Sequence, residues 1–190
     1  MKRRIATVKI PSSESSKEKR IADMKEFMRG YIIDDYDIDR LDKMNFFTAP
    51  ASTRFHGNYE GGLFDHSFRV AKTLVELTDF NNLMWERIES PYIVGMFHDL
   101  CKTDYYISNG TGHCWEHNDD CLLKGHGEKS VMLLSQFYTL TEEEIMCIRY
   151  HMGAFTPKEE WSDYTRAVHT YPNVLWTHHA DMIANHVHGI

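Results

Sequence analysis

The chain has 190 residues, 42% hydrophobic and 26% charged, which is enough for one domain with a core of its own and too few for two ordinary ones. Its net charge of −7 argues against a general nucleic-acid coat, because that function needs a basic surface. Twelve histidines are many for this length. Neutral or weakly charged at pH 7, they do not supply a site's cationic charge alone, but they can hold metal ions that do.

Met1-Lys2-Arg3-Arg4 looks like the basic start of a signal peptide, but Lys9 and the polar run from Ser12 to Arg20 interrupt any apolar stretch after it. The longest apolar run, Tyr92 to Phe97, is far too short to cross a membrane. The expected protein is soluble and cytoplasmic, with no membrane partner. Residues 1–20 hold seven basic and two acidic side chains, leaving a net −12 on the other 170. We expect 1–20 to be a flexible basic arm and 21–190 a single domain. A nucleic-acid partner has only this arm in its favour, and no aromatic residue is interleaved there. Cys101, Cys114, Cys121 and Cys147 form no C-x-x-C pair and are expected as free thiols.

Helical periodicity dominates. Ser15 to Gly30 reads as a charged amphipathic helix closed by glycine, and Asp37 to Met44 as a short second one. Thr48 to Tyr59 is irregular. Gly61-Gly62 opens a strong helix in which Leu63, Ser67, Val70, Leu74 and Leu77 make one buried stripe. Asn82 to Glu89 is short and amphipathic. Pro91 starts the next helix, and Tyr92 to Cys101 is apolar on nearly all sides. Asn109-Gly110, between Tyr105-Tyr106-Ile107 and Cys114-Trp115, predicts a small hairpin. Helices resume over 125–138, 141–152, 158–169 and 172–187, with Thr141-Glu142-Glu143-Glu144 as a capping-box start. The predicted fold class is all-α, a helical bundle with one small β-hairpin insertion.

His98-Asp99, ending the apolar helix, is the most informative spot. A buried imidazole and carboxylate must be paired, and the carboxylate must meet a cation. His66, His126, His151 and Asp181 are spaced so that each helix contributes one or two nitrogen or oxygen donors near an end or on one face. Helical bundles build metal centres from facing helices in this way.

These residues resemble the H…HD…D pattern of the HD-domain metal-dependent phosphohydrolase superfamily. Gly61-Gly62-Leu63-Phe64-Asp65-His66-Ser67 resembles the helix opening that presents the first histidine, and Phe97-His98-Asp99-Leu100-Cys101-Lys102 the HD-x-x-K stretch. His126 and His151 match the two extra histidines of the dinuclear branch. The resemblance covers about residues 55 to 188. It lacks the doubled histidine and GYP motif of the cyclic-di-nucleotide branch and the extra acidic motif of the alarmone hydrolases, so neither of those substrates is implied.

The resemblance implies that His66, His98, Asp99 and Asp181 hold one divalent transition metal ion. It implies that Asp99 bridges to a second ion held by His126 and His151. Manganese, iron, cobalt, nickel and zinc all suit such ligands. The implied activity is hydrolysis of a phosphomonoester or phosphodiester of a small nucleotide-like substrate by metal-activated hydroxide, with Asp99 and Lys102 catalytic. Lys102, Arg69 and His117 are candidate substrate contacts. For Lys102 a salt bridge to Asp65, Asp99 or Asp104 competes, and for Arg69 a solvated surface position. Gly125 and Gly127 either let backbone approach the site or merely loosen a helix start. His113, Cys114, His117 and Cys121 fit no usual zinc spacing, and His178 and His179 are expected to support the ligands or to pack rather than to be ligands. Three further functions share the ligand set: a mixed-valent di-iron oxygenase, a non-catalytic nucleotide-sensing module and a single-strand nuclease.

Overall fold

Local signals start most of the helices. In this computed structural model, which describes residues 15–31, 34–53, 57–108 and 115–189, α1 (Lys17–Phe27) begins where Ser16 Oγ accepts a hydrogen bond from the Lys19 amide. Asp34 caps α2 (Asp35–Lys43) in the same way. The predicted capping box is present at α6 (Glu142–Arg149), where Thr141 and Glu144 satisfy each other's backbone amides. The other helices are α3 (Gly62–Asn81), α4 (Ser90–Phe97), α5 (His126–Leu134), α7 (Trp161–Thr170) and α8 (Asn173–His186). Strands β1 (Tyr106–Ser108) and β2 (Trp115–His117) pair antiparallel, with Tyr106 opposite His117. The predicted turn at Asn109-Gly110 lies outside the described residues. The fold is all-α with one small hairpin, as its sequence predicts, and no helix among the described residues is long and apolar enough to cross a membrane.

The main hydrophobic core draws on all eight helices of the described residues. Helix α3 lies at its centre and packs most heavily on α4 and α8. The predicted stripe is buried at Leu63, Ser67, Val70 and Leu74, and Leu77 packs partly buried against the core. Helix α4 comes very close to α3 because Gly95 has no side chain: a Cβ there would sit 2.4 Å from the Ala71 Cα. Gly127 plays the same part between α5 and α6, where a Cβ would meet the Arg149 carbonyl oxygen at 2.1 Å. Close helix packing accounts for that glycine.

Two expectations are corrected. Residues 82–89 are not helical. Asn82 turns left-handed (φ 53°) and ends α3, and tertiary partners then hold the segment. Glu143 accepts from the Glu86 amide, Glu144 from the Arg87 guanidinium, and Asn173 donates to the Met84 carbonyl. With those bonds made elsewhere, a short helix is not needed to satisfy this backbone. Second, α4 stops at Phe97, and residues 100–103 tighten into a 3-10 turn, so the His98-Asp99 pair lies at the junction. Arg20, the last residue of the expected arm, lies in α1, within the helix expected over Ser15 to Gly30; it is buried, donating from Nε and a terminal nitrogen to both oxygens of Asp65 at 2.8 and 2.9 Å. Residues 1–14 lie outside the described residues.

Candidate metal centre

Four segments converge on the Asp99 carboxylate. Helix α3 brings His66, the α4 terminus brings His98 and Asp99, the turn after α6 brings His151, and α8 brings Asp181. All five are buried. His66 Nε2 lies 3.5 Å from Asp99 Oδ2 and 3.2 Å from Asp181 Oδ1. His98 Nε2 is 3.5 Å from Asp99 Oδ2, and His151 Nε2 is 3.5 Å from Asp99 Oδ1. His126, the first residue of α5, brings a donor atom within 4.8 Å of one on Asp99. Donor atoms gather within 4.8 Å of one another in three overlapping groups: His66 with His98 and Asp99, His98 with His151 and Asp181, and Asp99 with Cys101 and His126.

The ring orientations decide which nitrogens face inward. His98 Nδ1 lies 2.9 Å from the Gly95 carbonyl oxygen, and His151 Nδ1 lies 2.7 Å from that of Ile148. A carbonyl accepts only from an N–H, so in the neutral ring the proton sits on Nδ1 and Nε2 keeps its lone pair. His98 Nε2 is buried and has no hydrogen-bond partner. A lone pair 3.5 Å from a carboxylate oxygen in a dry interior is repulsive unless a cation stands between or beside them. Imidazole and carboxylate donors arranged like this fit a divalent transition metal. Backbone acceptors behind the rings are the usual outer support of such ligands.

Lys102, in the 3-10 turn, is the cation nearest to hand. Its Nζ is 2.6 Å from Asp99 Oδ2, so of the salt-bridge partners considered from sequence it takes Asp99. Burial works to raise the Asp99 carboxyl. Lys102 first, and the His98 and His151 rings when protonated, outweigh it and hold the group well below the usual carboxylate range. Burial likewise works against the Asp181 charge and is overcome by His66, which lowers that carboxyl as well. For Lys102, burial lowers and Asp99 raises, with Asp99 prevailing. His126 is pushed down, first by burial and then by the positive charge of Lys102, which keeps it the neutral imidazole a metal requires. Burial, reinforced by Asp99, pushes the Cys101 thiol up to about 12.

The centre opens into a cavity of about 340 Å³. Asp99, Lys102, His126, His151 and Asp181 lie in its wall, together with residues outside the metal-ligand motif. The irregular stretch before α3 brings Ala51 and Ser52, β1 brings Tyr106, the turn after α6 brings Met152 and Phe155, and α8 brings His178, Met182, Asn185 and His186. Of these, only His178 had been named for its place beside Asp181. It faces the cavity, with Nδ1 2.8 Å from the His151 carbonyl oxygen, which fits the supporting role expected of it. His179 is exposed, with its Nδ1 2.7 Å from its own helix's Leu175 carbonyl.

Two predicted substrate contacts are not brought in. Arg69 is one turn along α3 from His66, half-buried, with Glu76 as the neighbouring charge, and is not among the cavity-lining residues. His117 is exposed on β2, 3.6 Å from Asp119. Its strand partner Tyr106 reaches the cavity instead. His113 and Cys114 lie outside the described residues, as does His56. Cys101, Cys121 and Cys147 are free and buried. The donor that sequence reasoning missed is Cys101. Its signal was its place two residues after Asp99 in the same turn.

A dihydroneopterin 2',3'-cyclic phosphate phosphodiesterase from Methanocaldococcus jannaschii is 32% identical to this chain over 74 residues, 37% of the chain and 29% of that protein. The chain thus spans less than a third of the length of that curated relative. No protein-family model and no solved structure matches the chain. The chain is therefore similar, distantly and in part, to a phosphodiesterase, and it carries a buried His/Asp cluster able to hold a metal ion.

Proposed function

We propose that this chain is an HD-type metal-dependent phosphohydrolase that cleaves a phosphomonoester or phosphodiester of a nucleotide-like substrate. The observation that carries the reading is the buried, partnerless Nε2 of His98 facing the Asp99 carboxylate. Donors of His66, Asp99, His151 and Asp181 gather near it, one of His126 lies near Asp99, and Asp99, His126, His151 and Asp181 line the cavity. The likeness to a phosphodiesterase favours hydrolysis over oxygenation or sensing.

In this reading His66, His98, Asp99, His151 and Asp181 hold one or two divalent ions, and His126 completes the set beside Asp99. Bound divalent ions polarise phosphoryl oxygens and bring the pKa of a water toward neutrality. The chain's own groups do the rest. Asp99 and Asp181 stay ionised and so remain available as ligands. Lys102 holds Asp99 in place and presents a fixed positive charge at the cavity wall, where a phosphate oxygen would approach. Met152, Phe155 and Met182 form an apolar wall for the part of the substrate that is not phosphate, and Asn185 and His186 supply polar contacts beside it. The reading gives Arg69 and His117 no substrate contact.

The test is a panel assay on protein loaded with manganese, iron, cobalt, nickel or zinc. Substrates are p-nitrophenyl phosphate, bis-p-nitrophenyl phosphate, nucleoside monophosphates and 2',3'-cyclic nucleotides. Release of phosphate or of the opened nucleotide is expected with at least one metal, and His98→Ala should bring it to background. No release from any substrate, or release that His98→Ala leaves intact, would overturn the reading.

A further inference from the structure

The pattern of histidines and aspartates makes no use of sulfur, yet sulfur stands in this centre. Cys101 is fully buried at the start of the 3-10 turn, with Sγ 3.5 Å from His126 Nδ1. The other inward-facing histidines behave differently. His98 and His151 turn Nδ1 to main-chain carbonyl oxygens, which only fix the ring. His126 turns Nδ1 to a side chain that is itself a metal ligand by type. The donor atoms of Asp99, Cys101 and His126 lie within 4.8 Å of one another. Sulfur and nitrogen bonded to one tetrahedral ion at about 2.3 and about 2.0 Å stand about 3.5 Å apart. The Cys101–His126 pair already has that spacing. A second, independent observation lies on the same carboxylate: His98 Nε2, buried and without a partner, points at Asp99.

We propose that Cys101 is a thiolate ligand of the ion held beside Asp99 and His126. This rests on the metal-dependent reading of the site. On ligation the S–H bond breaks, a sulfur–metal bond forms and the proton leaves to solvent; no electron changes hands. The position then has one oxygen, one nitrogen and one sulfur donor. Such a set prefers zinc, cobalt or ferrous iron to magnesium or manganese, because thiolate is the softest of the three donors. His151 Nε2 lies 3.5 Å from Asp99 Oδ1 and also groups with His98 and Asp181, so it stands beside both positions. The centre thereby gains a division of labour: one all-imidazole and carboxylate position, and one position with sulfur.

The experiment is a cobalt(II) titration of the full chain, followed by absorbance. Visible d–d bands report that cobalt is bound, and a near-ultraviolet sulfur-to-cobalt charge-transfer band reports a thiolate ligand. Both are expected in the parent protein. Cys101→Ser should lose the near-ultraviolet band and keep the visible ones. A Cys114→Ala/Cys121→Ala/Cys147→Ala variant, with Cys101 as its sole cysteine, should keep both. X-ray absorption of the zinc-loaded parent should show a sulfur neighbour at about 2.3 Å, which needs no variant to fold. Visible bands without the near-ultraviolet band in the parent would overturn the proposal. So would a band that survives Cys101→Ser or disappears from the sole-cysteine variant. Absence of all cobalt bands would overturn the metal-dependent reading itself, so the two failures are distinguishable.

Discussion

Removing the Arg20 guanidinium should destabilise the protein more than any surface change. The pair it forms with Asp65 joins α1 to α3 across 45 residues, with side chains 3% and 0% exposed. Asp65 directly precedes His66, so the same contact steadies the helix turn that presents a metal donor. Taking away one member of a buried pair leaves the other charge in a dry site, a loss of about 3–5 kcal/mol. For a chain of this length each kcal/mol lowers the melting temperature by about 2–4 °C, so Arg20→Ala should melt about 6–20 °C below the parent. Replacing both partners by apolar residues, as in Arg20→Met/Asp65→Leu, should recover most of the loss, because the stranded carboxylate is then gone. The assay is urea and thermal unfolding of metal-stripped protein, which keeps ligation out of the comparison. A loss below about 1 kcal/mol for Arg20→Ala, the range of an exposed pair, would refute the reasoning. So would a double variant no more stable than the single one.

Gly95→Ala should cost about 1–3 kcal/mol by overpacking, because the added Cβ would sit 2.4 Å from the Ala71 Cα; a melt with no shift would show that α3 and α4 can part freely. Lys102→Met should leave metal content unchanged and lower kcat/KM about ten- to a hundredfold, the worth of a hydrogen bond to a charged group of about 1.5–3 kcal/mol; steady-state kinetics with parallel metal analysis checks both. Adding a tightly binding divalent ion to chelator-stripped protein at a hundred times its dissociation constant should stabilise it by about 2.7 kcal/mol. Calorimetry would read this as a rise in melting temperature, and His98→Ala should abolish the rise.

Most of the fold was legible because it rests on local rules. The stripe from Leu63 to Leu77, the cap at Thr141 and the turn signal beside Tyr105-Tyr106-Ile107 each act within a few residues. The errors fall where distant partners decide. Residues 82–89 have an amphipathic look, but Glu143, Glu144 and Asn173 take up their backbone and side chains. Arg20 looked like one more charge in a basic run, and nothing local names Asp65 as its partner. The donor set was legible in part because His98-Asp99 stands on an apolar background where a bland role is costly. Cys101 was passed over because a buried thiol is ordinary by itself; only the approach of His126 on α5 gives it a second meaning. Tyr106 and Phe155 were beyond reach, since which face of a short strand or turn meets a cavity depends on the docking of the whole segment.

The carbonyls behind His98 and His151 each belong to the residue three positions earlier in the same chain segment. The choice of protonated nitrogen is therefore written into the winding of a single helix end and does not wait for the remaining donors to arrive. On the metal-dependent reading, an ion reaching the cavity would meet rings already in the right tautomer, and an ion leaving it would take no orienting contact away. Metal exchange should thus proceed without rearrangement of these two rings. Whichever suitable ion the surroundings supply would enter a socket whose shape was cast during folding.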